Sequence, residues 1–121
     1  TVCRNCAQKY VPSEAELAQM GLTLDALKGR KIYKAAGCAT CTQTGYAGRT
    51  GVHELLLIDD ALRSLVMQGA DAASLKKDAM QMGMKTLRED GIQKVLMGIT
   101  TLEEVFRVTQ QEDVSRETAV A

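Results

Sequence analysis

Four cysteines form the pattern with the clearest chemistry. Cys3 and Cys6, then Cys38 and Cys41, make two C-x2-C pairs separated by a 31-residue spacer. Two intervening residues let both sulfurs of one turn face a common point, and leave backbone N–H groups of the knuckle free to donate to them. Two such knuckles brought together supply four thiolates in a tetrahedron, the closed shell of one structural zinc, with no open position for a catalytic water. A soft, redox-inert cation without further geometric demands suits that shell. Iron in the same shell, a redox role for the thiols, and two disulfides are the rival readings. The last lacks any secretory signal to support it. Gly37 and Gly45 flank the second knuckle as tight-turn residues, and Arg4 in the first would offset part of the charge of four thiolates.

No catalytic constellation accompanies the cysteines. There is no G-x4-G-K-[ST] phosphate loop. The nearest string, Gly83-Met84-Lys85-Thr86, lacks the glycine beside the lysine, and Thr86 reads better as a helix cap. G-x-S-x-G, H-E-x-x-H and G-x-G-x-x-G are also missing. The single histidine, His53, is expected to be a packing or surface residue. Met20, Met67, Met80, Met82, Met84 and Met97 are assigned first to gap-filling in the core and second to a partner groove.

The elements that must position the thiols follow from capping and periodicity. Ser13 with Glu16 forms an S-x-x-E box that opens a helix ending at Gly21, and a short helical turn runs from Leu24 to Lys28. The spacer is therefore folded. Arg30–Ala35 reads as a strand leading into Gly37 and Cys38. After the second knuckle, Val52–Ile58 reads as another strand, with Val52, Glu54 and Leu56 on one face and His53, Leu55 and Leu57 on the other. Short helices follow: Ala61–Gln68 capped by Asp59 or Asp60, Ala72–Met82 after Asp71, a helix from the Thr86/Glu89 box to Met97, and Leu102–Thr109 from the Thr101/Glu104 box. Gly91 weakens the third of these, since glycine inside a helix costs about 1 kcal/mol relative to alanine.

The fold class expected is α+β and mostly helical: a small tetracysteine zinc module with short strands over residues 1–58, a bundle of short helices over 59–109, and a flexible tail over 110–121. With 15 Lys+Arg against 15 Asp+Glu in 121 residues, bulk charge gives no grip on nucleic acid. The balance is uneven along the chain. Residues 1–51 carry seven bases and three acids, residues 52–121 eight bases and twelve acids, so the halves face different environments or each other. No apolar run approaches the roughly 18–20 residues needed to span a bilayer. Because Cys3 lies two residues from the first residue, the sequence is expected to be a segment of a longer chain.

Several separated motifs together resemble one family. Cys3-x2-Cys6, the helical spacer, and Tyr33-x3-Gly37-Cys38-x2-Cys41-x3-Gly45-Tyr46-x-Gly48-Arg49-x-Gly51-x2-Glu54-Leu55 are similar to the tetracysteine region of the GspE/PilB-type secretion ATPases. These are the motors of type II secretion and type IV pilus assembly. Asp59-x2-Leu62-Arg63-x-Leu65, Gly83-Met84-x-Thr86-Leu87-x2-Asp90-Gly91-x2-Lys94-Val95-x2-Gly98 and Thr100-Thr101-x-Glu103-Glu104-Val105-x-Arg107-Val108 resemble the helical C-terminal end of the same proteins.

The resemblance implies a cytoplasmic homo-hexamer, peripheral at the inner membrane, that contacts platform components of the secretion or pilus machine and uses ATP and Mg2+. The nucleotide-binding boxes of the family lie upstream of the tetracysteine region. No nucleotide residue, and no catalytic residue, is therefore carried onto this chain, whose expected role is structural and at interfaces. The metal set carries over as Cys3, Cys6, Cys38 and Cys41, and family members lacking it imply that the metal is an accessory of the architecture. Arg49, its surroundings kept bare by Gly48 and Gly51, is the candidate interface residue, together with Glu54. The alternatives are a free-standing zinc ribbon that binds nucleic acid and a C-x2-C redox or chaperone module.

Overall fold

The computed structural model describes residues 1–109. The amino-terminal lobe is built on a two-stranded antiparallel ribbon, β1 (Gln8–Tyr10) with β2 (Ile32–Lys34), in the register Gln8 to Lys34, Lys9 to Tyr33 and Tyr10 to Ile32. The 31-residue spacer thus doubles back on itself. It carries α1 (Glu14–Met20) and α2 (Leu24–Leu27) at one end of the ribbon, and at the other end it brings Cys6 and Cys38 side by side.

Local chemistry explains these boundaries. Ser13 Oγ accepts the Glu16 N–H at 3.3 Å while Glu16 Oε2 accepts the Ser13 N–H at 2.8 Å, so the expected capping box is complete. Gly21 ends α1 in the left-handed conformation (φ +67°). β1 had no strong signal in the sequence, because its three residues, Gln-Lys-Tyr, are too few to show a period.

Four helices make up the rest: α3 (Asp60–Met67), α4 (Ala72–Gln81), α5 (Leu87–Leu96) and α6 (Leu102–Thr109). Each lies within a residue or so of its expected bounds. The described residues are therefore mostly helical, six helices to one small sheet. The Thr86/Glu89 box is complete, with bonds of 2.8 and 3.2 Å. The Thr101 box is only half made. Thr101 Oγ1 accepts the Glu104 N–H at 3.2 Å, but the Glu104 carboxylate turns to Arg107, at 2.6 and 2.9 Å, instead of returning to the cap.

One apolar cluster joins the two ends of the chain: Met20 and Ile32 from the lobe meet Ile92, Val95, Leu102 and Val105 from α5 and α6. Residues on both sides of position 58 share this core. Gly91 gains its explanation here. A Cβ built on it would lie 2.6 Å from Val105 Cγ1, so its missing side chain is what lets α5 and α6 approach. α3 and α4 pack on each other, burying Leu62 and Ala79.

Two expectations are overturned. Val52–Ile58 is not a strand: no described residue offers it a ladder partner, and no backbone–backbone hydrogen bond reaches it. Its apolar side chains from Leu55 to Ile58 are consequently bare, Leu55 at 71% and Leu57 at 74% exposure. The methionines are mostly outside the core. Met20 is buried, but Met67 is 83% and Met97 71% exposed, because each falls at the solvent side of a helix end. The expected tail, 110–121, lies outside the described residues.

Candidate metal centre

The ribbon delivers the first knuckle and the left-handed turns around the second complete the site. All four sulfurs, Cys3, Cys6, Cys38 and Cys41, lie within 4.8 Å of one another. Cys38 Sγ is 3.6 Å from Cys41 Sγ, Cys6 Sγ is 3.8 Å from Cys41 Sγ, and Cys3 Sγ is 3.9 Å from Cys38 Sγ. A tetrahedron of sulfurs about 2.3 Å from one cation has edges of about 3.8 Å. The donor set fits such a cation in type, number and spacing. It does not fit disulfides, whose sulfurs sit about 2.05 Å apart; all four cysteines are free thiols.

Backbone N–H groups solvate the sulfurs as the knuckle geometry requires. Gly37 N–H donates to Cys6 Sγ at 3.3 Å, Cys38 N–H to Cys41 Sγ at 3.3 Å, and Gly45 N–H to Cys41 Sγ at 3.1 Å. Gly45 is held at φ +81° with Ala35 against its α-carbon, where a Cβ would meet Ala35 Cβ at 2.6 Å. A side chain there would push the turn off its sulfur. The residue that reaches into the cluster from the first knuckle is Asn5, whose Nδ2 donates to Cys38 Sγ at 3.3 Å. Arg4, expected to offset the cluster's charge, is exposed, and none of the hydrogen bonds to these sulfurs comes from it.

These donors divide the thiols. The Asn5 amide first, then hydrogen bonding from Cys41 and Cys6, draws the Cys38 thiol down to about 6 against the effect of burial. For Cys41, burial is the largest influence and opposes ionisation, but the Cys38 and Gly45 N–H groups overcome it and the thiol is lowered. For Cys6, the Gly37 N–H is the largest influence and pulls downward, yet burial and the neighbouring thiols of Cys38, Cys3 and Cys41 outweigh it, pushing the group up to about 11. Two of the thiols are thus drawn toward the thiolate while Cys6 is held away from it, so full ionisation of the set calls for a cation at its centre.

The other candidates stand elsewhere. Arg49 is exposed on the loop after the second knuckle, beside Thr1, Tyr46 and Glu104, and no described residue pairs with it. Glu54 Oε2 accepts the Leu87 N–H at 3.1 Å, at the first turn of α5. His53 is exposed, and its backbone N–H donates to Asp90 Oδ2 at 2.9 Å. Glu54 and His53 thus tie the segment after the knuckle to α5. Sequence reasoning passed over Asn5 and Thr44 and took Tyr46 only as part of a motif, since none of the three has standard ligand chemistry; their places inside or just after the knuckles mark them.

Comparison with known proteins places the chain in a family. The model of the family described as Type II/IV secretion system protein matches residues 1–107, and the chain belongs to that family. It is 45% identical over 108 residues to the type IV pilus assembly ATPase PilB of Thermus thermophilus, covering 89% of this chain and 12% of that protein. It is 44% identical over 114 residues to type II secretion system protein E of Dickeya dadantii, covering 93% of this chain and 22% of that protein. The type II secretion system ATPase E of Vibrio cholerae is 42% identical over 113 residues, covering 92% of this chain and 22% of its own. The chain therefore spans between about an eighth and a fifth of the length of these relatives. Among the described residues, no helix is long and apolar enough to cross a membrane.

Proposed function

We propose that this chain is the C-terminal metal-binding and helical part of a hexameric traffic ATPase that powers type II secretion or type IV pilus assembly. Its own role is structural and at interfaces, with nucleotide chemistry carried by other segments of the longer protein. The observation that carries this reading is the convergence of four sulfurs within 4.8 Å, in a chain whose relatives include a pilus assembly ATPase and a type II secretion ATPase. A zinc ion bound by Cys3, Cys6, Cys38 and Cys41 supplies four metal–thiolate bonds that fasten residues 3–6 to residues 38–41. Such binding is worth about 10–16 kcal/mol in small zinc modules, and it becomes folding free energy because the unfolded chain has no site. A lobe with so short a ribbon and so few buried side chains has a use for it.

The bare apolar run supports the interface half of the proposal. Leu55, Leu56, Leu57 and Ile58 are all exposed, and the three leucines edge an open cleft of about 500 Å³ whose walls include Leu62, Met82 and Met84. An apolar surface of this kind is normally covered. We assign its cover to the nucleotide-binding core of the same longer chain, with a neighbouring subunit beyond it and Arg49 and Glu54 near the contact. The parent works in the cytoplasm, at the inner membrane, through platform proteins. The free-standing nucleic-acid ribbon and the redox or chaperone module gain nothing from the family match.

Two measurements test this. Elemental analysis of the purified chain is expected to give one zinc per chain; iron, or no metal, refutes the zinc assignment. In the Vibrio cholerae type II secretion system ATPase E, replacing the matched region with this chain is expected to keep ATP hydrolysis and secretion. A folded chimera that does neither refutes the motor assignment.

A further inference from the structure

The second knuckle does not end at its last sulfur. Gly45 N–H donates to Cys41 Sγ at 3.1 Å, and Thr44 Oγ1 donates to the Cys41 carbonyl at 2.7 Å while accepting the Tyr46 N–H at 3.2 Å. The turn that presents the Cys41 sulfur therefore also fixes Tyr46. Val2 bridges to Tyr46, and its N–H donates to the Ile99 carbonyl at 3.0 Å, in the connection between α5 and α6. The Tyr46 hydroxyl shares a hydrogen bond of 2.7 Å with Thr101 Oγ1, 55 residues further along the chain.

Thr101 is the buried residue that caps α6. Its Oγ1 accepts the Glu104 N–H at 3.2 Å and its carbonyl accepts the Val105 N–H at 3.2 Å. Because the Glu104 carboxylate is engaged by Arg107, the cap has no reciprocal half to hold it. The Thr101 hydroxyl is oriented instead by Tyr46. A continuous line runs from Cys41 Sγ through Gly45, Thr44 and Tyr46 to the first turn of α6, each step a hydrogen bond, a peptide or the tyrosine side chain itself.

We propose that the Tyr46 hydroxyl couples metal occupancy of the tetracysteine centre to the N-terminal turn of α6. With metal bound, the knuckle holds Tyr46 against Thr101 and the turn is tight; with metal lost, the hydroxyl loses its placement and the turn frays. Tyr46 and Thr44 are positioning residues and touch no metal. The proposal rests on the reading that these four sulfurs bind zinc, and the experiment separates the two.

Amide hydrogen exchange is measured on the full chain, zinc-loaded and after chelation, with bound zinc counted in the same samples. Glu104 is the reporter. Ser74, whose N–H donates to Asp71 Oδ1 at 2.8 Å in the first turn of α4, is the control. Chelation is expected to speed exchange at Glu104 by about fivefold or more, the size of a lost helix cap, with Ser74 changing less than about twofold. In zinc-loaded Tyr46→Phe, Glu104 is expected to exchange faster than in the zinc-loaded parent, with zinc still bound one to one and chelation adding less than it does in the parent. Thr44→Val is expected to act in the same direction without altering Thr101. Bound zinc with a Glu104 rate indifferent to chelation overturns the coupling alone. So does a Tyr46→Phe chain that responds as the parent does, or a Ser74 acceleration equal to that of Glu104, which signals general unfolding. A parent chain that binds no zinc overturns the metal reading and the coupling together.

Discussion

Gly91→Ala is expected to destabilise the protein although it improves the helix in which it sits. In an exposed helix interior the change would be favourable by about 1 kcal/mol. Here the new methyl would lie 2.6 Å from Val105 Cγ1 and 3.1 Å from Val105 Cγ2. Val105 is fully buried in the cluster shared by α5, α6 and the amino-terminal lobe, and its β-branched side chain has few rotamers to retreat into. Inserting a methyl into such a core costs about 1–3 kcal/mol, so the net effect is a loss of about 1 kcal/mol, or about 3–5 °C in Tm. Thermal or urea unfolding of the metal-loaded chain measures it. The decisive arm is the double-mutant cycle. In a Val105→Ala background the clash is gone, and Gly91→Ala is expected to stabilise by up to about 1 kcal/mol. A Gly91→Ala variant more stable than its parent, or one with the same effect in both backgrounds, would refute the close-approach argument.

Ser13→Ala and Thr86→Ala each remove a complete capping box and are expected to lower stability by about 1 kcal/mol in urea unfolding; a loss at Ser13 alone would mean that α5 is held by packing only. Leu55→Asp and Leu57→Asp are expected to change the stability of this chain by less than about 0.5 kcal/mol, since both side chains are already in water, while abolishing ATP hydrolysis in the chimeric motor, as the proposed cover of this run requires. Acid stability follows from Asp90, which the Lys94 ammonium at 2.7 Å, and then the His53 N–H, hold below the ordinary carboxylate range. A depressed folded value means that the stabilisation is full above the unfolded value of about 3.9 and is lost as pH falls through the lower folded value. Tm is therefore expected to drop below about pH 4 in the parent chain and to drop less steeply in Asp90→Asn. Parallel curves for the two would remove Asp90 from the account.

What the sequence makes legible here is whatever rests on neighbours in the chain. Ser13 and Glu16, or Thr86 and Glu89, meet across one helical turn, so their boxes announce α1 and α5 directly. The two C-x2-C pairs are legible for a similar reason, each being one turn; their meeting was inferred from coordination chemistry, and the β1–β2 register supplies the means. Interactions between distant segments were not legible. Nothing near Gly91 in sequence foretells Val105 on another helix, and nothing near Asn5 foretells its amide on Cys38. Val52–Ile58 was misread for a physical reason. Its alternation and apolar content fit a strand, but a strand needs a partner, and within residues 1–109 there is none. The Thr101 box failed because Arg107, three residues beyond Glu104, competes for the same carboxylate at 2.6 Å.

That competition has a consequence for how the two ends of the molecule depend on each other. A helix that caps itself fully is indifferent to its surroundings, as α5 nearly is. α6 gives its capping carboxylate to Arg107 and accepts orientation from Tyr46 instead, so its first turn is stabilised from outside. The apolar cluster adds a second dependence, since Leu102 and Val105 of α6 pack with Met20 and Ile32 of the lobe that the thiols close. Free energy gained by drawing residues 3–6 onto residues 38–41 is therefore not confined to the knuckles. It reaches α6 by packing, which falls off with any loosening of the lobe, and by one directed hydrogen bond, which is either made or broken. Only the second gives a change at Glu104 out of proportion to the change elsewhere, and that disproportion distinguishes a coupled centre from a merely stabilising one.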